Sequence, residues 1–263
     1  MVSSMTFVGA GIQLLLSLGI PIIVLFYLRR NGLLSWKALG VGALVFILFA
    51  QVLEAGVHTL MIDKTTMRLK FTDNPYIFAV YGALMAGVFE EVGRYLGFKT
   101  LLKKETELKH GLSLGLGHGG IESILIGTLT AVNIIVYAVM INSGTFMSNI
   151  PPDQTATMAQ IKETLINTPY YMYIVSGLER VMALTAHIGL TMIVFYGIRL
   201  KQIRYLFYAI LLHALLDMVP ALTQIQIVKS VWVAEGFVFI FAIFFGIVAY
   251  RIATKFLGES SSS

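Results

Sequence analysis

The sequence predicts an all-α fold, a polytopic membrane helical bundle with seven transmembrane helices, and three observations carry that reading. Hydrophobic residues fill 57% of 263 positions and charged residues 13%. The mean hydropathy of +0.81 lies far outside the range of water-soluble domains. Seven stretches reach the about 20 mostly apolar residues needed to cross roughly 30 Å of hydrocarbon. Basic residues, finally, collect on one side of those stretches if the spans simply alternate.

In chain order the spans are Met5 to Leu28, Ala38 to Ile62, Tyr76 to Phe98, Leu112 to Ile141, Tyr170 to Leu200, Tyr205 to Ile227 and Val231 to Ala253. The first has no basic segment before it and is followed by Arg29 and Arg30, so it reads as an uncleaved anchor. Between the fourth and fifth spans the paired prolines of "NIPPDQ" impose a loop, after which Gln154 to Leu165 can form a short surface helix. Residues 1–258 are expected as a single transmembrane helical domain and 259–263, within "GESSSS", as a disordered tail. Cysteine is absent, which excludes disulfides and thiolate metal ligands.

Arg29, Arg30, Lys37, Lys99, Lys103, Lys104, Lys109, Arg199, Lys201, Arg204, Arg251 and Lys255 fall on one side, against Lys64, Arg68, Lys70, Lys162 and Lys229 on the other. The positive-inside rule then places the N-terminus outside and the C-terminus in the cytoplasm of a multi-pass protein, expected in a bacterial cytoplasmic membrane. The net charge of +5 is accounted for by the anionic cytoplasmic face of the lipid bilayer and needs no nucleic-acid partner.

Within this apolar background, ionisable residues recur at one depth. At 1.5 Å per residue, Glu90 and Glu91 lie roughly 12 to 14 Å from the cytoplasmic end of the third span, His118 and Glu122 roughly 10 and 16 Å into the fourth, His187 roughly 18 to 20 Å into the fifth, and His213 and Asp217 roughly 12 and 18 Å into the sixth. Glu90 with Arg94, His118 with Glu122 and His213 with Asp217 are each four apart, the spacing that shares a helix face. Arg180 returns to nearly the face of His187 seven residues later. Because each such group costs a few kcal/mol in lipid, these stripes should face one another or a water-filled cavity. Gly111, Gly115 and Gly119 form a small-residue ridge that permits close helix approach.

Carboxylates and neutral imidazoles are ligands for Zn²⁺, and three protein ligands with a water make a catalytic site. A second carboxylate near that water acts as general base. Glu and His alone can also activate water, with another imidazole stabilising the oxyanion. Spacing does not choose between these routes, and both give peptide-bond hydrolysis inside the membrane.

The motifs "EEVGR", "GHGGIE", "ERVMALTAHIGLT" and "HALLD", in this order over about residues 85 to 220, resemble those of the YhfC-type membrane peptidases, which group with the PrsW proteases, the type II CAAX-prenyl proteases and the Aph subunit of gamma-secretase. The resemblance marks Glu90, Glu91 and Arg94 as a first motif, His118 and Glu122 as a second, His187 as the fifth-span histidine, and His213 with Asp217 as the last. It implies an intramembrane protease acting on a membrane-embedded or membrane-proximal polypeptide, with zinc as candidate cofactor. His118, His187 and His213 would hold the metal or the reacting water, one of Glu90 and Glu91 would be the base, with Glu91 in that role if Arg94 positions Glu90, and Glu122 and Asp217 would complete or orient the shell. The Aph likeness implies an alternative, a non-catalytic membrane scaffold. Asp217 stands where related proteases often have Asn. Blander readings compete: Glu90 with Arg94 as a structural ion pair, and single histidines as packing groups. Glu54 and His58, toward the outer leaflet, read as a local hydrogen-bonded pair, and Asn133 and Asn142 as helix contacts.

Overall fold

The computed structural model describes residues 1–260 apart from 64, 67 and 149, with side chains to residue 257. Its helices are α1 (Ser4–Arg30), α2 (Trp36–Met61), α3 (Pro75–Thr100), α4 (Leu108–Asn142), α5 (Thr155–Asn167), α6 (Tyr170–Leu200), α7 (Arg204–Gln224) and α8 (Val231–Ser260). All except α5 are long and apolar enough to cross a membrane, giving seven candidate spans among the described residues. The chain is thus an all-α, multi-pass integral membrane protein. Among the described residues, strands occur only as a short antiparallel pair, β1 (Ile62–Asp63) and β2 (Arg68–Leu69), between α2 and α3. The last three residues of the expected disordered tail, 261–263, lie outside the described residues, and the α8 backbone runs to Ser260.

Local chemistry sets the helix ends. Ser3 Oγ accepts from Met5 N, Ser35 Oγ from Ala38 N, and Asn74 Oδ1 from Tyr76 N with Pro75 in the first turn, each satisfying an amide that the helix leaves orphaned. After α1, Gly32 adopts φ 68° and Leu33 N reaches back to Leu28 O at 2.8 Å, a left-handed closure that glycine makes without Cβ strain. The sixth span ends at Gln224, three residues short of the expected Ile227, because Gln226 turns left-handed (φ 61°) and closes the helix. In the β1–β2 turn, Asp63 Oδ1 accepts from Thr66 N and Thr65 N, and these amides hold its carboxyl below the usual carboxylate value.

By its contacts the chain groups into two compact units, Met1–Ile23 with Glu122–Val181 and Val24–Ile121 with Met182–Ser263. In the first, Val2, Ala10, Ile134, Ala138, Phe146, Leu165 and Tyr173 form an apolar cluster. Asn142 Oδ1 accepts from Val2 N at 2.7 Å and its Nδ2 donates to Val2 O at 3.0 Å, so this asparagine ties the end of α4 to the segment that precedes α1. In the second, the cluster is built from α2, α3, α4, α6, α7 and α8, including Phe98, Leu114, Leu190, Phe195 and Phe245. Two close approaches there position the polar residues. A Cβ added at Gly115 would meet Ile188 Cα at 2.9 Å, and one at Gly119 would meet His187 Cβ at 3.0 Å, so the glycine ridge of α4 is pressed against α6. Gly87 on α3 similarly admits the backbone oxygen of Ile210 on α7, 2.7 Å from where a Cβ would stand.

Within the spans, among the described residues, three stretches are π-helical: Leu15–Gly19, Phe46–Glu54 and Ser123–Thr128. Apolar periodicity carries no signal for these wider turns, which add a residue without ending a helix.

Candidate metal centre

The glycine contact at Gly119 places His118 of α4 beside His187 of α6, with ring centroids 5.1 Å apart. The contact at Gly87 sets the next turn of α3, with Glu90 and Glu91, against the α7 turn that bears His213. In the second unit, therefore, four helices deliver Glu90, Glu91, Arg94, His118, His187, His213 and Asp217 to one cluster. All but Asp217 are buried; Glu91, Arg94 and His118 are at 0% exposure.

Glu90 is the hub. Its Oε2 lies 2.9 Å from His118 Nε2, 3.1 Å from Arg94 Nη2, 3.8 Å from His187 Nδ1 and 3.9 Å from His213 Nε2. Glu91 Oε1 accepts from Arg94 Nη1 and pairs with His213 Nδ1 at 2.7 Å, while its Oε2 is buried without a hydrogen-bond partner. Asp217 Oδ2 stands 3.4 Å from His213 Nε2. Arg94 Nη2 also meets His187 Nδ1 at 2.7 Å. Phe46, in the π-helical part of α2, closes over His118 edge-on with centroids 5.2 Å apart. Phe46 is itself buried and gives that side of the cluster an apolar wall.

The group whose ligand atoms converge is Glu90, His118 and His187, all within 4.8 Å of one another. Two of the three histidines expected from the motifs are in this group together with Glu90; the third, His213, stands beside it, with its Nε2 3.9 Å from Glu90 Oε2 and its Nδ1 on Glu91. Two imidazoles and one carboxylate are a donor set that zinc takes in catalytic sites. Formal charge agrees with a divalent cation. With neutral imidazoles, as metal ligation requires, the three carboxylates Glu90, Glu91 and Asp217 against the one guanidinium Arg94 leave −2. Arg94 Nη2 now bridges Glu90 and His187, so a cation held by those atoms requires it to release them while keeping Glu91. The donors fit, and the arginine is the group that must yield.

Glu122 has a different immediate setting. Within the first unit its Oε1 accepts from Arg180 Nη1 at 2.9 Å, and Arg180 also pairs with Glu179. The expected Glu54–His58 pair is present at 3.2 Å, extended by His58 Nδ1 to the Tyr81 hydroxyl at 2.9 Å.

The profile of the YhfC intramembrane metalloprotease family matches residues 16–238. The chain belongs to the YhfC family. The match takes in every residue of the cluster. Among curated proteins, the YhfC-family chain is 38% identical to "Uncharacterized membrane protein YhfC" of Bacillus subtilis (strain 168) over 217 residues, which cover 82% of the chain and 84% of that protein. No solved structure matches this YhfC-family chain.

Proposed function

We propose that this chain is an intramembrane metalloprotease that hydrolyses a peptide bond of a membrane-embedded or membrane-proximal polypeptide, with Glu90, His118 and His187 holding the metal. The observation that carries the reading is the convergence of those three buried side chains beside a second carboxylate, Glu91, with one oxygen left unpartnered. Zinc, when bound there, would polarise the scissile carbonyl and acidify water. Glu91 Oε2 takes the proton of the attacking water as a hydroxyl adds to the carbonyl carbon, and returns it to the amide nitrogen as the C–N bond breaks. His213, between Glu91 and Asp217, fixes the orientation of that carboxylate. Arg94 balances its charge. Glu91 lies nine residues before the end of α3, roughly 14 Å along the helix, and the basic residues at that end support a cytoplasmic reading of this half of the membrane.

The substrate need not be identified for the reading to be tested. In cells producing the chain or its Glu91→Gln variant, mass spectrometry of membrane-protein termini should reveal new termini, in or beside transmembrane segments, only with the unaltered chain. Identical termini in both strains would overturn the protease reading and favour a non-catalytic scaffold.

A further inference from the structure

The end of α6, the start of α7 and the end of α8, all in the second unit, carry five exposed cations: Arg199, Lys201, Arg204, Arg251 and Lys255. Along the chain the acids flanking these segments are Glu179, Asp217, Glu235 and Glu259. Three of the cations stand on a connected set of rings. Arg199 Cζ lies 4.2 Å from the centroid of Phe256, Lys255 Nζ 5.4 Å from that of Tyr196, and Arg204 Cζ 5.5 Å from that of Tyr205. Tyr196 in turn meets Tyr205 at 5.3 Å and Phe256 at 6.5 Å. Such contacts hold cationic side chains in place at the surface, so the charges form one organised patch.

Helix electrostatics do not account for it. Cations favour helix C-termini, which suits Arg199 and Lys201, but Arg204 is the first residue of α7, where the helix dipole opposes positive charge. The backbone is also arranged at a cost. Gln202 N donates to Gly197 O at 2.9 Å and Lys201 N to Ile198 O at 3.1 Å, with Lys201 left-handed at φ 57°. The same closure uses Gly32 after α1 and Gln226 after α7. Glycine is the less strained residue there, yet this turn carries a cation. Beside the patch, Leu200, Ile203, Phe207 and Tyr208 present an exposed apolar surface.

We propose that this patch binds an anionic phospholipid: the headgroup phosphate is taken by Lys201, Arg204 and Lys255, and the acyl chains run along Ile203 and Phe207. The adjoining apolar surface is what favours a lipid over a soluble anion. This site is independent of the protease reading and can fail or stand without it. The test is native mass spectrometry of the full chain titrated with phosphatidylglycerol, phosphatidylcholine or inorganic phosphate, alongside thermal melting. Phosphatidylglycerol should be retained in preference to phosphatidylcholine, and Lys201→Gly and Lys255→Gln should each lower its retention roughly fivefold. Lys201→Gly should melt no lower than the unaltered chain in phosphatidylcholine, because it relieves a strained turn; this separates lost binding from lost fold. Equal retention of the two lipids, retention unchanged in both variants, or inorganic phosphate competing the lipid away at equimolar concentration would overturn the assignment.

Discussion

Glu91→Gln is expected to lower proteolysis by roughly 10²–10⁴-fold, the usual contribution of a general base, while leaving the metal in place. The substitution keeps the shape of the side chain, and its amide oxygen can still accept from Arg94 and pair with His213. What it removes is the basic oxygen: Glu91 Oε2, buried and without a hydrogen-bond partner, becomes a group that cannot take a proton from water. Glu90→Gln should differ in kind. Glu90 supplies the carboxylate of the converging group, so its loss removes both activity and metal. A cleavage assay on any substrate found from membrane-protein termini, run beside metal analysis of the same preparations, distinguishes the two. Equal metal loss from both variants would contradict the separation of ligand from base.

Arg94→Ala should be the most destabilising single substitution in the cluster. The guanidinium is wholly buried and touches Glu90, Glu91 and His187 at once. Removing one partner of a buried ion pair costs about 3–5 kcal/mol because the other charge is left uncompensated. Here two carboxylates lose the same partner. A divalent cation on Glu90, His118 and His187 would supply part of the missing charge, so zinc should raise the melting temperature of Arg94→Ala by more than that of the unaltered chain. Thermal unfolding in detergent, with zinc and with a chelator, reads both effects. If the variant melts like the parent in both conditions, Arg94 does not carry the buried acids.

Much of this arrangement is legible in the sequence, because a membrane amplifies simple signals. Apolar runs of fixed length mark the seven spans within a few residues at most ends, and Gly111, Gly115 and Gly119 mark the α4 face that α6 approaches. Ionisable residues in lipid are costly enough that their shared depth points to a common cluster, and Glu90, Glu91, Arg94, His118, His187, His213 and Asp217 do meet. What periodicity cannot supply is rotation about each helix axis. Which ligand atoms of Glu90 and His213 come closest to those of His118 and His187 depends on the angle at which α3 and α7 pack around Gly87, and depth is blind to that angle. The π-helical stretch that begins at Phe46 is equally silent, since it leaves the apolar pattern of α2 unbroken. Spacing marks Arg94 as a partner for Glu90 alone; its reach to Glu91 and across to His187 follows from the packing of α3 on α6. For Glu122, the signals are its depth, the four-residue spacing from His118 and the "GHGGIE" motif, and the structure adds the ion pair with Arg180.

The central claim is that Glu90, His118 and His187 form one metal-binding group with His213 standing outside it. Elemental analysis of the detergent-purified chain tests this most directly when run beside Glu90→Gln, His118→Ala, His187→Ala and His213→Ala variants, each checked for folding by its melting curve. The account predicts about one zinc per chain in the unaltered protein and in His213→Ala, and its loss from the other three. A folded, metal-loaded His118→Ala or His187→Ala, or loss of the metal from His213→Ala alone, would contradict it.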